Sequence, residues 1–308
     1  MTRAQQRPPP KRVGVLALGD ALGTAASLSY VTSLKTALRD LGWIEGENIV
    51  FDVRSAQGRA ERLPELAREL VARAPDLIWT TVTPGALAAR QATTTIPIVI
   101  ANAADPVGVG LAQSLPRPAG NVTGLAALSP DIAPKLLELL REALPRLSRV
   151  AVLSNPGEPT DAALMHNLPA AARALSIQLA TITIRAQEEI EPALTKLSER
   201  DAGIDAVIVP GGAMFFTQRA RIGALLKRLK LPSANAGDES LLIYRQNFSE
   251  AYVRSASQVD RILKGANPAE MPIEQPTRLE LVVNLQTARA LGVTIPRSLL
   301  LRADKVID

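Results

Sequence analysis

A single histidine, His166, and the absence of any cysteine limit the chemistry open to this 308-residue chain. Without thiols there is no disulfide, no thiolate nucleophile, no iron–sulfur cluster and no cysteine-ligated zinc. One imidazole also argues against a transition-metal site and against a Ser-His-Asp triad. His166 lies in "TDAALMHNLPAAARAL", whose apolar residues recur at helical spacing, and it reads as a helix residue. The adjacent carboxylates Asp238-Glu239 in "AGDESLL" diverge in a loop and make a poor acid/base pair. "GVLALGDALG" has glycines without the G-x-G-x-x-G spacing, and neither a phosphate loop nor a G-x-S-x-G elbow occurs. No cofactor is therefore expected.

What remains are neutral polar residues in Gly/Pro-rich loops, each following an apolar run. They are "ALGD" (17–20), "TVTPG" (81–85), "NAADP" (102–106), "SNPGEP" (154–159), "VPGGAMFF" (209–216) and "LIYRQN" (242–247). Loops of this kind let backbone approach a small molecule and supply uncharged hydrogen bonds, although turn formation alone also calls for such residues. Asp105 before Pro106 reads as the N-cap of a helix "VGVGLAQSL", and Pro84 suits the first turn of another. Helix starts at strand ends favour an anionic group.

The elements that would position these loops alternate. "RVGVLAL", "NIVFDVR", "DLIWTTV" and "IPIVIAN" read as strands, and the segments between them as helices, over the first 120 or so residues. "RVAVLSN" opens a second run of the same kind, through "IQLATITI" and "IDAVIVP". A long helix over 248–265, a Pro-rich connector and a strand "LELVVN" close the chain. The pattern predicts an α/β protein of two lobes, each a doubly wound parallel sheet, in a chain too long for one comfortable core.

Hydrophobic residues make up 47% and charged residues 21%, which is ordinary globular composition, and no apolar run is long enough to span a bilayer. The opening "MTRAQQRPPPKRVGVLALG" is a basic polar arm without an apolar leader segment, so no secretory signal is read in it. The net charge of +5 is spread among interleaved acids and bases, as in "ERLPELARELVARAPD". That pattern describes solvated helix faces and gives no footprint for nucleic acid.

Five stretches together carry a resemblance: "ALRDLGWIEGENIVFDVRSAQGRAERLPELARELV" (37–71), "TPGALAARQATTTIPIVI" (83–100), "DPVGVGLAQSLPRPAGNVTGL" (105–125), "VDRILKGANPAEMPIEQPT" (259–277) and "ELVVNLQTARALGVTIPRSLLLRADKVI" (280–307). The chain from Arg12 to Asp308 resembles the ABC-transporter substrate-binding proteins of the tryptophan/tyrosine type, and the 105–125 stretch alone is diagnostic. The resemblance implies a type I periplasmic-binding-protein-like fold. Its two lobes would be joined by a multi-crossover hinge and would close on a small solute without chemistry. It also implies a periplasmic location and a permease partner. Members usually read like Ser-Tyr-Gly before the long late helix, whereas this chain has Ile243 and Arg245 in "IYRQN". A bulky cation in place of glycine is expected to alter the ligand.

The expected organisation is a disordered arm over 1–11, lobe one over 12–125 plus 246–275, and lobe two over 126–245 plus 276–308. Crossovers are expected near 121–128, 243–248 and 273–280. The expected solute is a small organic molecule carrying a carboxylate. Gly19, Asp20, Thr83, Pro84, Asn102 and Asp105 would face it from lobe one. Asn155, Gly211, Phe215 and Phe216 would face it from lobe two, with Tyr244 and Arg245 near the hinge. Thr83 would donate to the carboxylate, Phe215 or Phe216 would cover an apolar part, and Arg245 would pair with an anionic group. The rival readings are an enzyme using the same cleft, for which no catalytic set is found, and the sensing domain of a regulator, for which neither end has room for an output domain.

Overall fold

Alternating strands and helices close into two separate sheets. The computed structural model describes residues 8–19, 28–127, 132–199, 203–275 and 278–308. The chain divides into two units, Met1–Ala127 with Phe248–Pro276, and Leu128–Asn247 with Thr277–Asp308. "RVGVLAL" and "RVAVLSN" lie in different sheets.

In the first unit, β1 (Lys11–Ala17), β2 (Ile49–Ser55), β3 (Leu77–Thr80), β4 (Ile98–Ala104) and β5 (Val122–Ala127) form a wholly parallel sheet of order β2-β1-β3-β4-β5. Successive residues of a strand face opposite sides. Val13, Val15, Leu77, Trp79 and Val99 therefore share a core with α1 (Leu28–Asp40) and the late helix α8 (Phe248–Leu263). On the other side, α2 (Leu63–Ala72) and α3 (Thr83–Ala92) pack against each other and bury Leu66, Leu70, Ala86 and Ala89.

The second unit carries the sheet β12-β11-β10-β9-β8-β6-β7. Its strands are β6 (Arg149–Ser154), β7 (Gln178–Thr183), β8 (Ala206–Ile208), β9 (Ser233–Ala234), β10 (Leu242–Gln246), β11 (Leu279–Asn284) and β12 (Lys305–Ile307). Only β10 and β11 run antiparallel. The helices are α4 (Ile132–Ala143), α5 (Pro159–Ala174), α6 (Ile190–Leu197), α7 (Ala213–Arg228), α9 (Leu285–Leu291) and α10 (Arg297–Arg302). Val150 and Val152 of β6 face a core shared with α4 and α5, and Ala151 and Leu153 face one shared with α6 and α7.

Three expectations need correction. The stretch "VGVGLAQSL" is not a helix. Residues 106–110 form a turn in which Val109 N–H reaches Asp105 O at 3.1 Å, and Gly110, at φ +75°, ends it. Most of the stretch 121–128, expected as the first crossover, is the strand β5, and the chain leaves the unit only after Ala127. Gly124 sits in β5 at φ +138°, and a Cβ on it would meet Ile100 O at 2.0 Å, so the two strands approach closer than any side chain permits. Lys11, assigned to the arm, opens β1 and pairs with Asp76 at 2.8 Å. Residues 1–7 of that arm lie outside the described residues.

An aspartate latches the start of the first strand in each unit, β1 and β6. Asp76 Oδ2 accepts from Arg12 N–H at 2.8 Å, and Asp205 Oδ2 accepts from Arg149 N–H at 2.8 Å and Ser148 N–H at 2.7 Å. Burial works against ionisation at both. The Arg12 N–H together with the Lys11 ammonium outweigh it at Asp76, the Arg149 and Ser148 donors outweigh it at Asp205, and both carboxyl pKa values are lowered from the usual aspartate value.

Candidate functional site

In the first unit the predicted residues collect on three adjacent strands. Gly19 follows β1, and its carbonyl accepts from Ser55 Oγ at 2.6 Å. Asp20 lies outside the described residues. Thr83 and Pro84 open α3, whose N-cap residue Val82 provides no side-chain bond and whose first turn has no acid. Thr83 is buried, and its Oγ1 accepts from Ala104 N–H at 2.9 Å, so it ties the start of α3 to the end of β4. Beneath it Thr80, fully buried, directs its Oγ1 against Gly85, at 2.2 Å from where a Cβ would stand. That hydroxyl has no hydrogen-bond partner among the described residues. Asn102 is half-buried at the register shift between Ile100 and Ala103, a bulge that re-aims side chains. Asp105 is exposed at φ +43°, and its Oδ1 caps Gly108 N–H at 2.9 Å.

In the second unit Asn155 follows β6, while Gly211, Phe215 and Phe216 follow the neighbouring β8. Asn155 is nearly buried; its N–H donates to Asp161 Oδ1 at 3.0 Å, and its Oδ1 accepts from Gly157 N–H at 3.1 Å. Gly211 is exposed. Phe215 is fully buried and belongs to the core under α6 and α7, so its ring packs the helix start. Phe216 is half-buried with the Arg219 guanidinium 4.1 Å from its ring centroid, and Arg219 Nη1 donates to Phe216 O at 2.6 Å. Tyr244 and Arg245 lie on β10. The Asn235 side chain holds the Tyr244 backbone through both its carbonyl and its N–H, and Arg245 Nη2 is 4.0 Å from Asp238 Oδ1.

Sequence reading passed over Glu158 in "SNPGEP". Its carboxylate accepts from Ala213 N–H and from Met214 N–H at 2.7 Å, the first two donors of α7. Burial pushes its pKa above the usual glutamate value despite those bonds, and the nearby Asp161 charge adds to the rise. The anion position at the start of α7 is thus filled by the chain's own carboxylate, whereas the start of α3 carries no side-chain cap. The only sequence signal for this was a glutamate directly before the proline that begins α5. Among the described residues no group of His, Asp or Glu is placed to hold a metal ion, and no helix is long and apolar enough to cross a membrane.

The model of the ABC transporter substrate binding protein family matches residues 17–213 and 241–307, which takes in parts of both units. The chain belongs to this family. A tyrosine-binding protein of Clostridioides difficile (strain R20291) is 26% identical over 263 residues, covering 83% of this substrate-binding protein and 74% of that relative. Among solved structures, a conserved domain protein from Vibrio cholerae is 28% identical with a TM-score of 0.87, covering 96% of this chain and 99% of that one. An ABC domain from Streptococcus pneumonia in complex with L-Trp has a TM-score of 0.87 at 24% identity, covering 97% of this chain and 100% of that one. These likenesses agree with the two α/β sheets expected from the strand–helix alternation and with the periplasmic-binding-protein-like fold that the family resemblance implied.

Proposed function

We propose that this protein is the solute receptor of an ABC importer, closing its two units on a small organic solute that carries a carboxylate. The observation that carries this reading is the family match running through both units. The start of α3 supports the placement of the carboxylate. It is an uncapped start of a ten-residue helix, with the buried Thr80 hydroxyl unpartnered beside it. The helix dipole and free N–H groups there favour an anionic oxygen. Gly19, Thr83, Pro84, Asn102 and Asp105 would surround that end of the solute, through backbone as much as side chain. From the second unit Asn155, Gly211 and Phe216 would meet its remainder, and Arg245 would pair with an anionic group. Phe215 would support Phe216 from within the core.

A tyrosine-binding relative and an L-Trp complex of the same architecture make aromatic amino acids the first solutes to try. The protein would act without turning its solute over, in the periplasm, handing it to a membrane permease. Native mass spectrometry of protein purified without refolding tests the reading, because tight solutes survive purification. A retained small acid that binds again in calorimetry, unchanged after prolonged incubation, agrees with it. Conversion of that solute to a product overturns it in favour of an enzyme.

A further inference from the structure

The chain leaves the first unit after Ala127 and again after Pro276, and it re-enters at Phe248, the first residue of α8. The two departing segments run side by side inside that unit. Ala126 N–H donates to Glu274 O at 2.8 Å, Glu274 N–H donates to Gly124 O at 2.9 Å, and Leu125 and Glu274 form a parallel bridge. Both segments are then fastened to α8 by side chains. Arg254 and Gln258, four residues apart, share one helix face. Arg254 Nη2 meets Glu274 Oε2 at 2.5 Å, and Gln258 Nε2 donates to Glu274 Oε1 at 3.0 Å, so one carboxylate is gripped at both oxygens. The same Gln258 amide donates to Gly124 O at 3.2 Å, and its Oε1 accepts from Thr123 Oγ1 at 3.0 Å. Thr123 Oγ1 also lies 2.9 Å from Met271 O. Thr123 and Gln258 are buried, and neither belongs to the candidate solute site.

Apolar residues would have sufficed to fill this space. A polar network with a buried centre, here Thr123 and Gln258, favours one arrangement of its partners, because a shift strands a donor or acceptor away from water. We propose that Gln258, Glu274 and Arg254 form a clamp that makes the two departing segments and the middle of α8 a single pivot. The clamp thereby restricts the orientations through which the units move. This rests on the receptor reading only for its consequence, since a narrower set of open states raises the fraction competent to close on solute.

The motion is measurable without any solute. The chain lacks cysteine, so nitroxide labels on Glu65→Cys and Lys196→Cys, exposed positions in different units, are confined to those two sites. Pulsed electron paramagnetic resonance on the full-length protein then reads the distance distribution between them. Gln258→Leu is expected to widen that distribution about twofold, as the segments bend independently. Arg254→Met, which removes a partly exposed member and leaves the buried amide, is expected to widen it less. It also keeps the test open should Gln258→Leu fail to fold. Hydrogen exchange of the peptide over 122–127 confirms that the clamp has opened. Faster exchange with superimposable distributions in the folded variants overturns the clamp and leaves the receptor reading intact. A widened distribution in a protein that binds no small acid supports the clamp and removes the receptor reading instead.

Discussion

At the scale of single residues, the strand-start aspartates carry the clearest electrostatic signature. Asp205 is held below its ordinary pKa by backbone donors, so its contribution to folding is present above the usual aspartate range and is lost as pH falls through the depressed value. Asp205→Asn is expected to cost about 1–3 kcal/mol near neutral pH, and urea unfolding should show the gap closing as pH falls below the usual aspartate range. Glu158 has the opposite sign. Its raised pKa means that this group alone favours the folded state as pH falls and loses that contribution as pH rises through the raised value. Arg245→Ala tests the candidate site. Against L-tyrosine or L-tryptophan, whichever binds, calorimetry should show about a tenfold loss if the guanidinium holds an anion. An unchanged affinity would leave Arg245 to its neighbour Asp238. Sequence reading found most of the loops that collect on the two strand-end edges, because Gly, Pro, Asn and Thr after apolar runs have local meaning. It missed Glu158 and Thr80, because a carboxylate reaching another helix 55 residues on, or a hydroxyl pressed on a glycine, has no local pattern.

At the scale of elements, hydrophobic period located α1 to α8 and most of the longer strands, and left the short closing helices α9 and α10 unassigned. β5 was hidden because Gly124 breaks the apolar alternation, and the glycine is there for the approach of Ile100 O. The Asp105-Pro106 start signal was real, since the carboxylate does cap Gly108, yet one turn is all that follows before Gly110. Short strands such as β9, of two residues, exist only through their neighbours. Gly124→Ala combines an unfavourable φ with a backbone clash and is expected to destabilise by about 3 kcal/mol or more. Gly211→Ala, with nothing within 4 Å of a new Cβ, is the matched control and should melt within about 0.5 kcal/mol of the parent. Gly223 on α7 repeats the clash without the unfavourable φ, with Ala236 O at 2.2 Å, and ties that helix to the loop before β10. Thermal melts of the three alanine variants rank these contacts directly.

At the scale of the whole molecule, small-angle scattering with and without solute is expected to show contraction on binding, and an unchanged profile at saturation would count against closure. The strand–helix alternation made two sheets legible in advance, but which stretches return to which sheet is set by long-range packing. Both tryptophans report on that return. Trp79 Nε1 donates to Ser255 Oγ at 2.9 Å and Trp43 Nε1 to Asp260 Oδ1 at 2.8 Å, so each is anchored to α8. Tyr252, Ala256, Val259 and Ile262 of that helix complete the core begun by β1, β3 and α1. Order of synthesis follows from this. When Ala127 leaves the ribosome, one face of the finished five-stranded sheet has α1 but still lacks α8, and that part of its cover is translated only after most of the second unit. A fragment ending at residue 127 should therefore keep its tryptophans wet, bind hydrophobic dyes and aggregate. In the growing full-length chain tryptophan burial should wait for residue 263, so that the half encoded first is the half completed late.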